Sequence, residues 1–225
     1  MVLAITRSVI FAKVVVALTG LVMVGFIIGH TSGNLLIFVG QDAINTYAQG
    51  LKDIGAALWV VRSALIISVV LHIYYTLKLT ALNKAAKPIG YKKTTYKRST
   101  FASRNMTILG LTILFFIIYH LLHYTFQVTH PQFKDLQDSL GRHDVYNMIV
   151  AGFQNPIICI FYILGVLGLG YHLRHGIQSM IHTIGLNSDS AKKYSNLFAK
   201  LITIFAVVGL GSIPISVLIG LVGGK

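Results

Sequence analysis

The chain has 225 residues, 55% of them hydrophobic and 11% charged, with a mean hydropathy of +0.73, which excludes an ordinary soluble domain of this length. Its formal charge of +13 does not indicate nucleic acid, because the basic residues lie between apolar runs and form no stripe around a base-reading motif. The single cysteine, Cys159, excludes an intrachain disulfide, a cysteine zinc or iron–sulfur ligand set, and thioether attachment of a prosthetic group, which needs C-x-x-C-H.

A helix needs roughly 20 apolar residues to cross a bilayer, and five segments qualify. The first, about 13–38, runs longer than a signal peptide and shows no small-residue cleavage site, so it is expected to be retained. It carries His30. The second, about 57–80, begins near Trp59 and Arg62 and carries His72. The connector that follows, KLTALNKAAKPIGYKKTTYKRSTFASR, holds eight of the 19 basic residues. The third, about 105–127, contains His120 and His123 in the run FIIYHLLHYTFQ. The fourth, about 149–173, ends on His172, with Arg174 and His175 just beyond. The fifth, about 198–221, has no histidine. The expected fold is therefore all-α, a bundle of five transmembrane helices forming one domain over residues 1–225.

Orientation follows from the distribution of Lys and Arg. Together with Arg7, Lys13, Arg174, Lys192, Lys193 and Lys200, the long connector places fourteen of the nineteen basic residues on one side. Five of the six acidic residues, Asp42, Asp53, Asp135, Asp138 and Asp144, fall on the other. The basic side is cytoplasmic, with the amino terminus inside. The connector itself is expected to be solvated, with either anionic lipid or a cytoplasmic partner against it.

Ionisable residues inside a span are costly and mark function by default. At 1.5 Å per residue, His30 lies roughly 26 Å beyond Lys13 and His120 roughly 24 Å beyond Arg104, so both sit toward the outer leaflet. His72 precedes Lys78 by about 9 Å and His172 adjoins Arg174, so both sit toward the cytoplasm. Four histidines on four helices thus form two levels of two. That is the arrangement axial ligation of a haem iron requires, one imidazole on each face, and two levels imply two haems. Neutral imidazoles avoid burying charge, and each second ring nitrogen can be satisfied by a neighbouring polar group.

Gly25, Gly29 and Gly33 around His30, and Gly165, Gly168 and Gly176 around His172, share helical faces with those ligands and are expected to open slots for a flat macrocycle. His123 and His175 lie three residues past a ligand, roughly 60° off its face, and are assigned to propionates, quinone or the interface. Arg62 and Arg174 are placed to pair with propionates of the outer and inner haem. His130, His143 and His182 fall in connectors and are expected to be solvated. Trp59 and Tyr47 read as interfacial anchors.

The segments FIIGHTSGNLLIFVGQDAINTYA, VVLHIYYTLKLTALNKAAKP, FIIYHLLHYTF, DVYNMIVAGFQNP and GYHLRHGIQSMIHTIGLN resemble, in order and spacing, the di-haem cytochrome b membrane subunit of bacterial succinate dehydrogenases and fumarate reductases. The resemblance spans essentially the whole chain. It implies two b-type haems, with His30 and His120 on the outer haem and His72 and His172 on the inner. It also implies a flavoprotein and an iron–sulfur protein on the cytoplasmic face, a location in the bacterial cytoplasmic membrane, and electron transfer to quinone, with menaquinone favoured. Dicarboxylate chemistry would belong to another chain. No local motif identifies the quinone site; Asn34, Asp42, Asp53 and Arg62 are candidates. Two other readings stay open at this point: a di-haem cytochrome b of a hydrogenase or formate dehydrogenase, and a proton transporter using histidines as a relay.

Overall fold

The computed structural model describes residues 8–86 and 100–224. Much of the basic connector, and with it the expectation of a lipid or partner contact there, lies outside the described residues. Helix α1, Val9–Asn34, starts where the Ser8 side chain accepts a hydrogen bond from the Phe11 amide, the usual answer to the unpaired N–H groups of a first turn. It tightens into a 3-10 turn, Leu35–Phe38. Gly40, at φ 134°, then breaks the chain into the short α2, Gln41–Asp53, and Gly55, at φ 56°, leads into α3, Ala56–Ala85.

Helix α4, Phe101–His120, is capped by Thr100 and passes into a π turn, Leu121–Thr125. A 3-10 turn at Pro131–Asp135 and an isolated antiparallel bridge between Gln137 and His143 lead to α5, Val145–Phe153. Helix α6, Pro156–Thr183, has Asn155 as its cap and proline in its first turn, where the missing N–H costs nothing. Helix α7, Asp189–Leu218, is capped by Ser188 and ends before Gly220, at φ 77°.

Five stretches are long and apolar enough to cross a membrane: Val9–Phe38, Ala56–Ala85, Phe101–Thr125, Pro156–Thr183 and Asp189–Leu218. The five-span fold stands, with boundaries moved in the fourth and fifth spans. The fourth span does not begin at 149; residues up to Phe153 form the separate helix α5, and the Asn155–Pro156 pair restarts the chain. It also continues to Thr183, so His175 and His182 are helical. The fifth starts at Asp189, nine residues earlier than its apolar run, because the Ser188 cap and the Lys192–Asp189 pair at 3.1 Å open a polar first turn.

Helix α1 packs on α3, α6 and α7, α6 packs on α4 and α7, and α3 touches α4 only slightly. The buried clusters follow this pattern. One gathers Ile37, Ile44, Phe153, Cys159, Tyr162 and Val217; the other Val24, Leu173, Ile177, Ala199 and Ala206. Helix α3 buries only Ser68, and α4 fully buries no residue. The exposed side chains of these helices are large and apolar, including Trp59, Val60, Ile66, Ile108 and Phe115, a surface suited to lipid and not to water.

Candidate functional site

Four of the histidines within the spans face one another as two pairs, each drawn from two helices. The rings of His30 (α1) and His120 (α4) have centres 5.8 Å apart, and those of His72 (α3) and His172 (α6) lie 6.4 Å apart. Neither pair joins two helices that pack closely: α1 with α4, and α3 with α6, are absent from the major helix contacts. The imidazoles therefore meet across the middle of the bundle. Among the described residues no group of three or more His, Cys, Asp or Glu side chains converges as a metal site.

The hydrogen bonds around His72 indicate its tautomer. Nδ1 of His72 lies 3.1 Å from the Thr19 hydroxyl on α1. That hydroxyl already donates to the carbonyls of Val15 and Val16, at 2.7 and 3.1 Å, so it accepts from His72. The neutral ring then carries its proton on Nδ1 and presents Nε2 with a free lone pair. Gly20 lies against the same ring, where a Cβ would stand 3.7 Å from Cε1.

His172 is approached in the same way by Gly110, whose Cβ would stand 3.6 Å from Cε1. Its Nδ1 is buried with no hydrogen-bond partner. At the other level, Phe26 stacks on His30 and Phe116 on His120, with centres 5.2 and 6.1 Å apart. The Asn34 amide donates to the His30 carbonyl at 2.8 Å and lies 3.4 Å from both nitrogens of its ring.

The glycines near His30 and His172 differ in their surroundings. Gly25, Gly29, Gly168 and Gly176 have nothing within 4 Å of where a Cβ would stand, whereas Gly33 is covered by Tyr47 and Gly165 by Phe116. The last two are ring contacts between elements, so Tyr47 contributes packing against α1.

The accessory candidates are dispersed. Arg62 is exposed and lies over the Trp59 ring, 5.1 Å from its centre. Arg174 is exposed and His175 half-buried on α6. Asp53 takes a hydrogen bond from Gln49 at 2.8 Å on the surface of α2. His123 is fully buried. His130 and His143 are not free in solvent: the His130 ring lies 4.7 Å from that of His123, and His143 is 3.1 Å from the Gln127 amide. His182 sits in the last turn of α6, with Nδ1 at 2.8 Å from Asn187.

Asp42 belongs to a polar clamp that sequence reasoning missed. Arg142 reaches Asp42 and Asp138 at 2.8 and 2.7 Å and donates to Thr46 at 2.7 Å. Asn45 donates to both Asp138 and Asp144, while Gln41 and Asn147 also donate to Asp144. Burial raises the Asp138 carboxyl, but hydrogen bonds from Arg142 and Asn45 outweigh it and bring it to about 2. Burial likewise opposes, and bonds from Asn45 and Asn147 overcome, so that Asp144 also lies below the carboxylate range. The clamp fastens α2 to the segment leading into α5.

The model of the succinate dehydrogenase/fumarate reductase transmembrane subunit family matches residues 83–210. The chain belongs to this family. The matched region of this transmembrane subunit runs from the end of α3 through most of α7 and includes one histidine of each facing pair, His120 and His172. His30 and His72 lie before it, and their place opposite the matched histidines is a finding of the structure. Comparison with curated proteins and with solved structures returned no match.

Proposed function

We propose that this transmembrane subunit is a di-haem cytochrome b. His30 and His120 would ligate an outer haem b and His72 and His172 an inner one, in the cytoplasmic membrane of a bacterium. The observation that carries the reading is the facing of the four imidazoles in two pairs across the bundle. Ring centres 5.8 and 6.4 Å apart bring the two imidazoles of each pair close enough that both would ligate one iron held between them.

The donor chemistry fits as well. Both members of each pair are uncharged ligands without a bridging acid, and Thr19 holds His72 in the tautomer that leaves Nε2 available. Open space beside Gly25, Gly29, Gly168 and Gly176 is compatible with a broad planar group. With no C-x-x-C-H sequence, attachment would be by ligation alone. Bound haem supplies one-electron chemistry whose potential is set by its axial ligands and their surroundings.

The protein would carry electrons between an iron–sulfur partner on the cytoplasmic side, joined to a flavoprotein, and membrane quinone near the outer pair, with menaquinone favoured. The residues of this chain orient the ligands, exclude water and anchor the complex. Asn34, on the His30 ring, is the quinone candidate nearest that pair; Asp42 is engaged by Arg142 and Asp53 is at the surface. The test is affinity purification in mild detergent. Co-purification of a flavoprotein and an iron–sulfur protein, with succinate-dependent quinone reduction, is the expected result. Recovery of the chain with neither protein would overturn it.

A further inference from the structure

Helix α4 leaves the α-helical pattern at the π turn Leu121–Thr125, a rare geometry that concentrates at functional sites. Within that turn, His123 meets the same tyrosine that contacts His120. The hydroxyl of Tyr162, on α6, lies 3.4 Å from Nδ1 of His120 and 2.9 Å from Nδ1 of His123.

His123 is completely buried, among Tyr119, Tyr124, Phe133, His130 and Tyr162. Its Nε2 has no hydrogen-bond partner. An unpaired buried polar atom destabilises by roughly 1–3 kcal/mol, and a phenylalanine in this aromatic cage would avoid that. The nitrogen that is used, Nδ1, is spent on Tyr162.

We infer that Tyr162, oriented by His123, is the positioning residue of the outer histidine pair. The inference rests on the reading of His120 as an iron ligand. With Nδ1 of His120 turned toward Tyr162, Nε2 is the nitrogen left for a metal, so the neutral ring carries its proton on Nδ1. That N–H donates to the Tyr162 oxygen. The Tyr162 hydroxyl in turn donates to Nδ1 of His123, which places the remaining proton of His123 on the unpartnered Nε2. The three groups form one directed chain, and each fixes the tautomer of the next.

Donation from Nδ1–H makes a ligating imidazole a stronger electron donor and locks its plane, which favours the oxidised metal. The inner ligand on the same helix as Tyr162, His172, has no such partner at Nδ1. Tyr162 therefore acts at the outer level alone.

The test uses the complete complex carrying Tyr162→Phe or His123→Phe. The readouts are haem content, the midpoint potential of each haem and the low-spin electron paramagnetic resonance of each. The inner signal is identified by its loss in His72→Ala. In Tyr162→Phe both haems are expected to remain and the outer potential to rise, by up to tenfold in the one-electron equilibrium, about 59 mV. His123→Phe should move it the same way by less, with the inner potential unchanged in both.

Two haems with an unaltered outer potential and resonance, or equal movement of both haems, would overturn the positioning role. If Tyr162→Phe does not retain haem, His123→Phe decides by the same criteria. A wild-type complex without haem would instead overturn the proposed function, and the positioning with it.

Discussion

Thr19→Val isolates one hydrogen bond at the inner histidine pair. Thr19 is 7% exposed, and its hydroxyl proton is committed to the Val15 and Val16 carbonyls. What valine removes is therefore the lone pair that accepts from Nδ1–H of His72 at 3.1 Å, at nearly constant volume. The Val16 carbonyl also lies within reach of the His72 ring, so the lost acceptor destabilises by at most roughly 1–3 kcal/mol. Loss of a partner behind a metal ligand typically lowers metal affinity by roughly 10–100-fold, about 1.4–2.8 kcal/mol, so the two ranges agree. The variant should lose inner haem in preference to outer haem when the purified complex is washed in detergent, measured by difference absorbance and pyridine haemochrome. Thr19→Ser should restore retention. Wild-type retention of inner haem in Thr19→Val, or loss confined to the outer haem, would refute the reasoning.

Gly165→Ala places a Cβ into the Phe116 ring, which stacks on His120. It should destabilise by about 1–3 kcal/mol, as overpacking does, and broaden the outer haem signal, whereas Gly110→Ala meets His172 at an ordinary 3.6 Å and should melt like the wild type. The clamp of Asp138 and Asp144 should respond to acid in a defined window. Both carboxyls lie below their ordinary value of 3.8, Asp138 at about 2, so their contribution is complete above 3.8 and is lost as pH falls through the folded value. Amides of Leu140 and Arg142, which donate to Asp138, should stay protected from hydrogen exchange down to about pH 4 and open below it; opening already at pH 6 would count against the clamp. On intact cells, an impermeant thiol reagent should label Ser139→Cys and spare Ser188→Cys, the buried Cys159 being silent; the reverse pattern would invert the assigned orientation.

The spans and the two histidine levels were legible because helical rise converts sequence spacing directly into depth, and a bilayer admits little besides helices at that depth. His30 opposite His120, and His72 opposite His172, required only that the two depths be matched. Depth carries no azimuth, however, and the contacts that depend on azimuth were not legible. Thr19 reads as an unremarkable residue in an apolar run until α3 is laid beside α1. Tyr162 and His123 meet between α6 and the π turn, an approach that the spacing of His123 from His120 does not disclose. Helix ends were misplaced where capping and hydropathy disagree: the Ser188 cap opens α7 ahead of its apolar residues, and Pro156 splits an apolar run at its start. The clamp joining Asp42, Asn45, Asp138, Arg142 and Asp144 links loops about a hundred positions apart, and no local pattern announces such a pairing.

The most direct measurement is the number of haems per chain in the purified complex, by pyridine haemochrome against quantitative amino-acid analysis, for the wild type and for His30→Ala and His72→Ala. Two haems in the wild type, with the outer lost in the first variant and the inner in the second, is the predicted outcome. A wild-type chain with none, or variants that each keep both, would contradict ligation by these paired imidazoles.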